Sequence, residues 1–316
     1  MIPLKEKVRN IHNKLFFIVS SIQDILLPLA TISSIPEQIE NVVIGDDKLL
    51  SFIDNTIQQV SEDDLKGVVS IGGGTFRGCS GLTSITIPDS VTSIGSDAFS
   101  GCSALKKVYA SDITSWLTIA FGNGSANPLY NGADLYFSNE LVTEVIIPDS
   151  VTSIGAYAFY GCKGLTSITI PDSVTSIGSD AFRGCTSLTS IIIPDSVTSI
   201  GSSAFEGCTG LTSITILDGV TSIGVYAFYG CKGLTSITIP DSVTSISSDA
   251  FYNCLALRNI YIKSATPPTL ANKSAIPSQT TIHVPVGSGD AYRAATNWSS
   301  FANKIVEDVV IESTAE

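Results

Sequence analysis

Histidine and methionine are nearly missing from this chain: 316 residues hold two of the first and one of the second. So little imidazole leaves almost nothing for histidine metal sites or acid–base catalysis. Charge is scarce as well, at 15% of residues against roughly 25% in an average globular protein. What charge there is leans acidic, 17 Lys+Arg against 29 Asp+Glu for a net −12, which argues against a nucleic-acid partner. No run approaches the roughly 20 apolar residues of a membrane span. The seven cysteines are odd in number, so a fully paired disulfide scaffold is excluded. None stands in a Cys-x-x-Cys pair, the common zinc spacing, so no metal is expected. A Gly-x-Ser-x-Gly elbow and a phosphate-cradling glycine loop are also missing. Serine and threonine abound, but a hydroxyl needs a base, and His12 and His283 lie at opposite ends of the chain. The expectation is a protein that is not an enzyme and carries no cofactor. At 44% hydrophobic, it is no disordered chain either.

What is present is a repeat. Pro148-Asp149-Ser150-Val151-Thr152-Ser153-Ile154-Gly155 recurs almost unchanged at Pro171, Pro194 and Pro240, with a degenerate copy at Leu217, so each step is 23 residues. Seven units result, marked by Ile71, Ile94, Ile154, Ile177, Ile200, Ile223 and Ile246. Between the second and third the spacing grows to 60, which is 23 plus an insertion of 37 over residues 111–147. All seven cysteines occupy the same place in their units. Within one unit, Ile168-Thr169-Ile170 alternates as a half-buried strand does. Pro171-Asp172-Ser173 is turn chemistry, and Val174 to Ile177 is a second extended piece. Ala181-Phe182-Arg183-Gly184-Cys185 reads as a helical turn stopped by glycine. Burying each aliphatic or Phe side chain contributes about 1.5–3 kcal/mol, while ordering each backbone residue costs about 1–2 kcal/mol. One unit cannot fold alone, and stacked units share a core. The expected fold is an α/β repeat solenoid of short strands and helical turns, its seven units on the order of 30 Å long. Residues 65–262 form the solenoid, 31–64 a linker and N-terminal cap, and 263–316 a C-terminal cap.

The pattern LxxIxIPxxVxxIGxxAFxGC, repeated over residues 65–262, resembles the BspA-like leucine-rich repeats of bacterial surface proteins. Thr266-Pro267-Pro268, Val284-Pro285-Val286-Gly287 and Ala291-Tyr292-Arg293 are similar to that family's C-terminal cap. The resemblance implies extracellular adhesion and ligand binding without a common reaction. Fold alone does not fix the ligand, so a cell-surface protein and a glycan both stay open.

Four features compete as sites. The cysteine ladder is read as packing beneath the turn. The aspartate row, Asp89, Asp149, Asp172, Asp195, Asp218 and Asp241, is read as turn-forming side chains bonding backbone N–H groups rather than as a calcium site. Inward positions barely vary between units, whereas two outward columns flanking Ala-Phe do. One runs Gly74, Asp97, Tyr157, Asp180, Ser203, Tyr226, Asp249, and the other Arg77, Ser100, Tyr160, Arg183, Glu206, Tyr229, Tyr252. Five of the ten tyrosines fall here, and tyrosine supplies rigid contact area with a polar tip. The candidate ligand contacts are Tyr157, Tyr160, Arg183, Glu206, Tyr226, Tyr229 and Tyr252, joined by Trp116 and Tyr130 of the insertion. The competing reading is a solvated face that drifts freely. A third column is the outward strand position, among it Tyr109, Ile146, Ile192 and Tyr261. In the insertion, Ser138-Asn139-Glu140 reads as a hairpin turn, and its aromatics either bind or close the solenoid's side.

Residues 1–30 follow another rule. Leu4, Val8, Ile11, Leu15, Ile18, Ile22, Ile25 and Leu29 are spaced 4, 3, 4, 3, 4, 3, 4, a heptad seam with Pro3 at the helix start. Isoleucine at d favours trimers or tetramers, so a homo-oligomer, a trimer foremost, is expected through residues 4–29. The rival is an export signal, with Lys5, Lys7, Arg9 and Lys14 ahead of the apolar run Leu15 to Ile22. The stretch from Ile53 to Ile71 resembles the lead-in of repeat proteins from gut-bacterial prophages, and a coil followed by a solenoid is similar in plan to phage tail fibres. Two functions follow: a non-catalytic extracellular adhesin, or a receptor-binding protein of a phage or prophage tail.

Overall fold

The computed structural model describes residues 42–44 and 58–310. The N-terminal helix over 1–30, its heptad and the trimer expected from it lie outside the described residues, as does most of the linker.

Each unit winds once and lays down two strands, a longer one and a two-residue one. The short strands Ser153–Ile154, Ser176–Ile177, Ser199–Ile200, Ser222–Ile223, Ser245–Ile246 and Thr269–Leu270 form one parallel sheet. Its register sets Ile154 on Ile177, Ile200 on Ile223 and Ile223 on Ile246. The longer strands pair in parallel too: Ser190–Ile193 with Ser213–Ile216, and Ser236–Ile239 with Asn259–Ile262. They alternate exposed and buried, so Ile191 and Ile193 enter the core while Ile192 faces out. Inside runs a stack of Phe159, Phe182, Phe205, Phe228 and Phe251, ring centroids 5.2–5.4 Å apart and planes within 6°. Beside it the cysteines are free and buried. The Cys185 thiol donates to the Phe159 carbonyl at 3.2 Å and Cys208 to Phe182 at 3.0 Å, so the ladder ties each unit to the one before.

Three expectations need correction. The third side of a unit is a run of turns rather than the single helical turn expected, although glycine does end it. Arg183 N–H donates to Asp180 O and Cys185 N–H to Phe182 O. The left-handed backbone at Asp180 (φ 56°) and Gly184 (φ 74°) then stops any helix after one turn. Among the described residues the α-helices are α1, Ile113–Leu117, and α2, Gly289–Ala294, both outside the regular units. The aspartate row does not make the turn's bonds either. Asp89, Asp149, Asp172, Asp195, Asp218 and Asp241 are exposed. The turn is instead closed by Val174 N–H to Pro171 O, and Ser173 Oγ donates to Val151 O of the preceding unit at 2.8 Å. The third correction concerns the insertion.

Residues 111–147 contain a complete extra turn of the solenoid followed by a hairpin. Ala120–Phe121 pairs with Ser93–Ile94, and Asp134–Phe137 pairs with Lys107–Ala110 at an offset of 27 residues. The chain then reverses into Glu140–Leu141 through Ser138 and Asn139, both at positive φ, which fits a two-residue hairpin turn. Helix α1 replaces the Pro-Asp-Ser turn, opened by Asp112 accepting from Ser115 N–H at 2.8 Å. Where a cysteine thiol would reach the Phe99 carbonyl, Asn131 Nδ2 does so at 3.2 Å. The short-strand sheet stops at Ala120–Phe121 and a new one starts at Ser153–Ile154.

After Asn259–Ile262 the cap adds two further parallel strands, Thr281–Pro285 and Ile305–Val309. Trp298 Nε1 donates to Pro268 O and Tyr292 Oη to Ser264 O, each at 2.7 Å, sealing the core end. No helix among the described residues is long and apolar enough to cross a membrane.

Candidate binding edge

The two variable columns lie together on the turn side, and backbone geometry explains their form. Every residue of the first column is left-handed: Gly74, Asp97, Tyr157, Asp180, Ser203, Tyr226 and Asp249 have φ between 55° and 66°. That conformation turns the N–H toward the next unit, so Tyr157 N–H meets Ser179 O at 3.0 Å and Tyr226 N–H meets Ser248 O at 3.1 Å. Phe159 N–H to Ala181 O and Gly161 N–H to Arg183 O complete three bonds between consecutive turns. The edge is therefore a rigid backbone ladder carrying the second column as its rungs. Glycine and aspartate suit a left-handed position, and tyrosine does so poorly, at about 1–2 kcal/mol.

On this ladder the side chains form two clusters. In the first, Tyr130 of the extra turn stacks on Tyr160 at 5.7 Å, and Tyr157 tilts against Tyr160 at 6.1 Å. The Arg183 guanidinium sits 5.7 Å over the Tyr160 ring and is held by Asp180 at 3.0 Å and Glu206 at 2.8 Å. Burial works against the charge on Arg183, but the Asp180 hydrogen bond and the neighbouring Tyr160 and Glu206 outweigh it and raise its pKa. Burial also lifts the Tyr160 phenol, with Arg183 pulling the other way. In the second cluster, Tyr226 meets Tyr229 edge-on at 5.5 Å, and Tyr229 stacks on Tyr252 at 5.6 Å. Tyr226 and Tyr252 are exposed, while Tyr229 is half-buried.

Trp116 belongs elsewhere. It is 0% exposed, with Nε1 donating to Ala158 O at 2.9 Å, so it is a core residue that joins the extra turn to the next unit rather than a ligand contact. Asn127, equally buried, donates to Tyr157 O at 2.8 Å and accepts from Leu129 N–H. It holds the turn that presents Tyr157. Sequence reading missed this role, although Asn-Pro at 127–128 is a turn signal. It also missed the left-handed column, whose mark is glycine and aspartate recurring in one register.

The outward strand column forms a separate face, with Ile146 76% and Ile192 61% exposed and Tyr261 stacked on His283 at 4.4 Å. The His283 ring nitrogens face Asp308 at 2.9 Å and Asn259 at 3.0 Å, so both are engaged locally. Among the described residues no group of three His, Cys, Asp or Glu side chains is placed to hold a metal.

The BspA type leucine-rich repeat region matches residues 51–127 and 133–258 in 6 copies, more than half of the chain. The chain belongs to the BspA-type leucine-rich-repeat family. Proteins built from such repeats are in general non-enzymatic binding proteins. Among solved structures, this BspA-type chain is similar to a leucine-rich repeat protein from Bacteroides ovatus. Identity is 26% and the TM-score 0.46, over 80% of this chain and 66% of that one, just under two thirds of its length. A T. pallidum leucine-rich repeat protein is 27% identical, TM-score 0.36, over 64% of this chain and 78% of the other. A leucine-rich cell surface protein from Faecalibacterium prausnitzii is 25% identical, TM-score 0.23, over 62% and 83%. No curated protein matches the chain.

Proposed function

We propose that this BspA-type chain is a non-catalytic ligand-binding protein, displayed at or beyond a bacterial cell surface, that engages its ligand through the tyrosine-bearing edge. One observation carries the reading. Tyr226, 41% exposed, occupies a left-handed position that most other units fill with glycine, aspartate or serine, whereas Tyr157 at the same position packs partly against the core. A free surface would relax toward those cheaper residues, whereas a bulky aromatic held at a backbone cost points to use of its side chain. The inter-unit hydrogen bonds fix the rungs in advance, which lowers the ordering cost on binding. The family resemblance supports extracellular display, and burial of the thiols keeps them from oxidising there.

The test is binding of fluorescently labelled protein to intact bacterial and host cells, followed by flow cytometry. The variant Tyr157→Ser/Tyr160→Ala/Tyr226→Ser/Tyr229→Ala should keep its fold by circular dichroism and show a half-saturating concentration at least about tenfold higher, as loss of aromatic contact residues does. Equal binding by the folded variant would remove the edge from the function.

A further inference from the structure

The second tyrosine cluster runs into a cavity. Between the last regular turn and the C-terminal cap lies an open space of about 630 Å³, within the range of sites that hold small groups. Its walls are Tyr252, Leu255 and Pro277, its floor the buried Ile276 and Phe301, and Lys273 stands at its side. Tyr252 is 48% exposed and Leu255 58%, so apolar surface stays open to solvent at the mouth. No carboxylate lines the space. The Lys304 ammonium bonds the carbonyl of Ser278, another lining residue, and so adds a second cation beside it. Neither lysine forms an ion pair among the described residues. On a chain of net charge −12 this is an unbalanced positive corner next to an aromatic track.

We infer that the cavity anchors an apolar side chain of an acidic peptide segment in a protein partner, its carboxylate on Lys273 and its flanks along Tyr252, Tyr229 and Tyr226. This rests on the reading above that the tyrosine edge binds a ligand, and it names the ligand's chemistry. Two observations favour peptide over glycan. Tyr229 and Tyr252 stack face to face, so they offer ring edges and hydroxyls rather than the open faces on which a sugar ring lies. Leu255, 58% exposed at the mouth, and the floor of Ile276 and Phe301 suit an alkyl or aryl side chain, while Asn253, Ser274 and Gln279 are placed for the polar groups of a peptide backbone.

The probe is N-acetyl-L-phenylalanine, titrated against the full chain and followed by amide shifts in a deuterated, ¹⁵N-labelled sample. Expected are a Kd of about millimolar, shifts at Tyr252, Ser274 and Gln279, and at least about tenfold weaker binding of the carboxamide. Lys273→Glu should weaken the probe by a similar factor, as should Leu255→Ser, both exposed changes that leave the fold intact. Tyr157→Ser/Tyr160→Ala should leave probe affinity unchanged, since the first cluster is remote from the cavity. No shift at the cavity, or equal binding of acid and carboxamide, overturns the inference. Glucuronate binding as tightly as the probe overturns the peptide in favour of an acidic glycan. If the edge variant abolishes cell binding while the probe fails, the cavity is wrong and the edge stands. If the probe binds but cells ignore both the edge variant and Lys273→Glu, the reading of the edge fails instead.

Discussion

At the scale of single residues, neighbours in one unit answer to opposite demands. Phe228 lies in the ring stack, 0% exposed, between Phe205 at 5.3 Å and Phe251 at 5.2 Å. Phe228→Ala removes a full ring from a site that cannot collapse, and should cost about 3–5 kcal/mol. Two positions earlier, Tyr226 is 41% exposed and left-handed at φ 57°. Tyr226→Gly relieves about 1–2 kcal/mol of backbone strain and adds about 0.5–1 kcal/mol of chain entropy cost. The variant should therefore lie between about 0 and 1.5 kcal/mol on the stabilising side of the parent. Urea unfolding of both variants checks the contrast, and a loss above about 2 kcal/mol for Tyr226→Gly would make its ring structural rather than functional. The alternation and spacing of Ile168, Ile170, Phe182 and Cys185 in the sequence identified such core residues directly, because burial leaves a fixed period. The left-handed column was less legible, because Tyr157 and Tyr226 hide a register that Gly74, Asp97 and Asp180 mark.

Among elements, the inserted turn divides the solenoid. A Cβ on Gly201 would come within 2.6 Å of the Gly178 and Ser179 backbone, as stacked turns require, yet one on Gly155 meets nothing within 4 Å. On the turn side the units stay close, since a Cβ on Gly161 would meet Leu129 O at 2.7 Å. The joint is thus open along the short strands and closed where Tyr130 meets Tyr160. Gly155→Ala should stabilise by about 0.4–1 kcal/mol through the unfolded chain, and Gly201→Ala should destabilise by about 1–3 kcal/mol through overlap. Thermal melts of the pair decide it, and equal losses would mean that the stack is continuous at Gly155. The sequence showed a break of 37 residues but not its content. Helix α1 and Asn131 rebuild the turn without the Pro-Asp-Ser and Ala-Phe-x-Gly-Cys runs of the other units, so the extra turn does not show in the 23-residue spacing.

Five thiols of the ladder share a response to pH. Burial pushes the Cys102, Cys162 and Cys208 thiols up to about 12, and raises Cys79 and Cys185 as well. Below about pH 9 these thiols are protonated whether folded or not, and their contribution is intact. Above it the unfolded thiols ionise while folded Cys102, Cys162 and Cys208 stay neutral until about 12, so each of these three removes about 1.4 kcal/mol per pH unit. Stability should hold from pH 7 to 8.5 and fall steeply toward pH 12. Cys208→Ala should make the decline shallower by one thiol in urea titrations at each pH, and an unchanged slope would show that Cys208 does not ionise on unfolding.

For the whole molecule, the proposed binding edge belongs to a single chain, and the strength expected of it on a surface depends on how many edges are presented together. One exposed tyrosine track offers modest area, whereas linked copies convert later contacts into intramolecular ones and raise avidity by about 10²–10⁴. The heptad from Leu4 to Leu29, with isoleucine at three successive d positions, is the feature of this sequence suited to that task. Light scattering on the full chain should give three times the 33.1 kDa chain mass, and on a chain lacking residues 1–30 a single copy. Cell binding should weaken by at least about tenfold on that truncation while the N-acetyl-L-phenylalanine affinity per chain stays constant, because the cavity lies wholly within one chain. A full-length monomer would reassign the N-terminus to docking or export, and the edge would then have to supply its whole affinity from one copy.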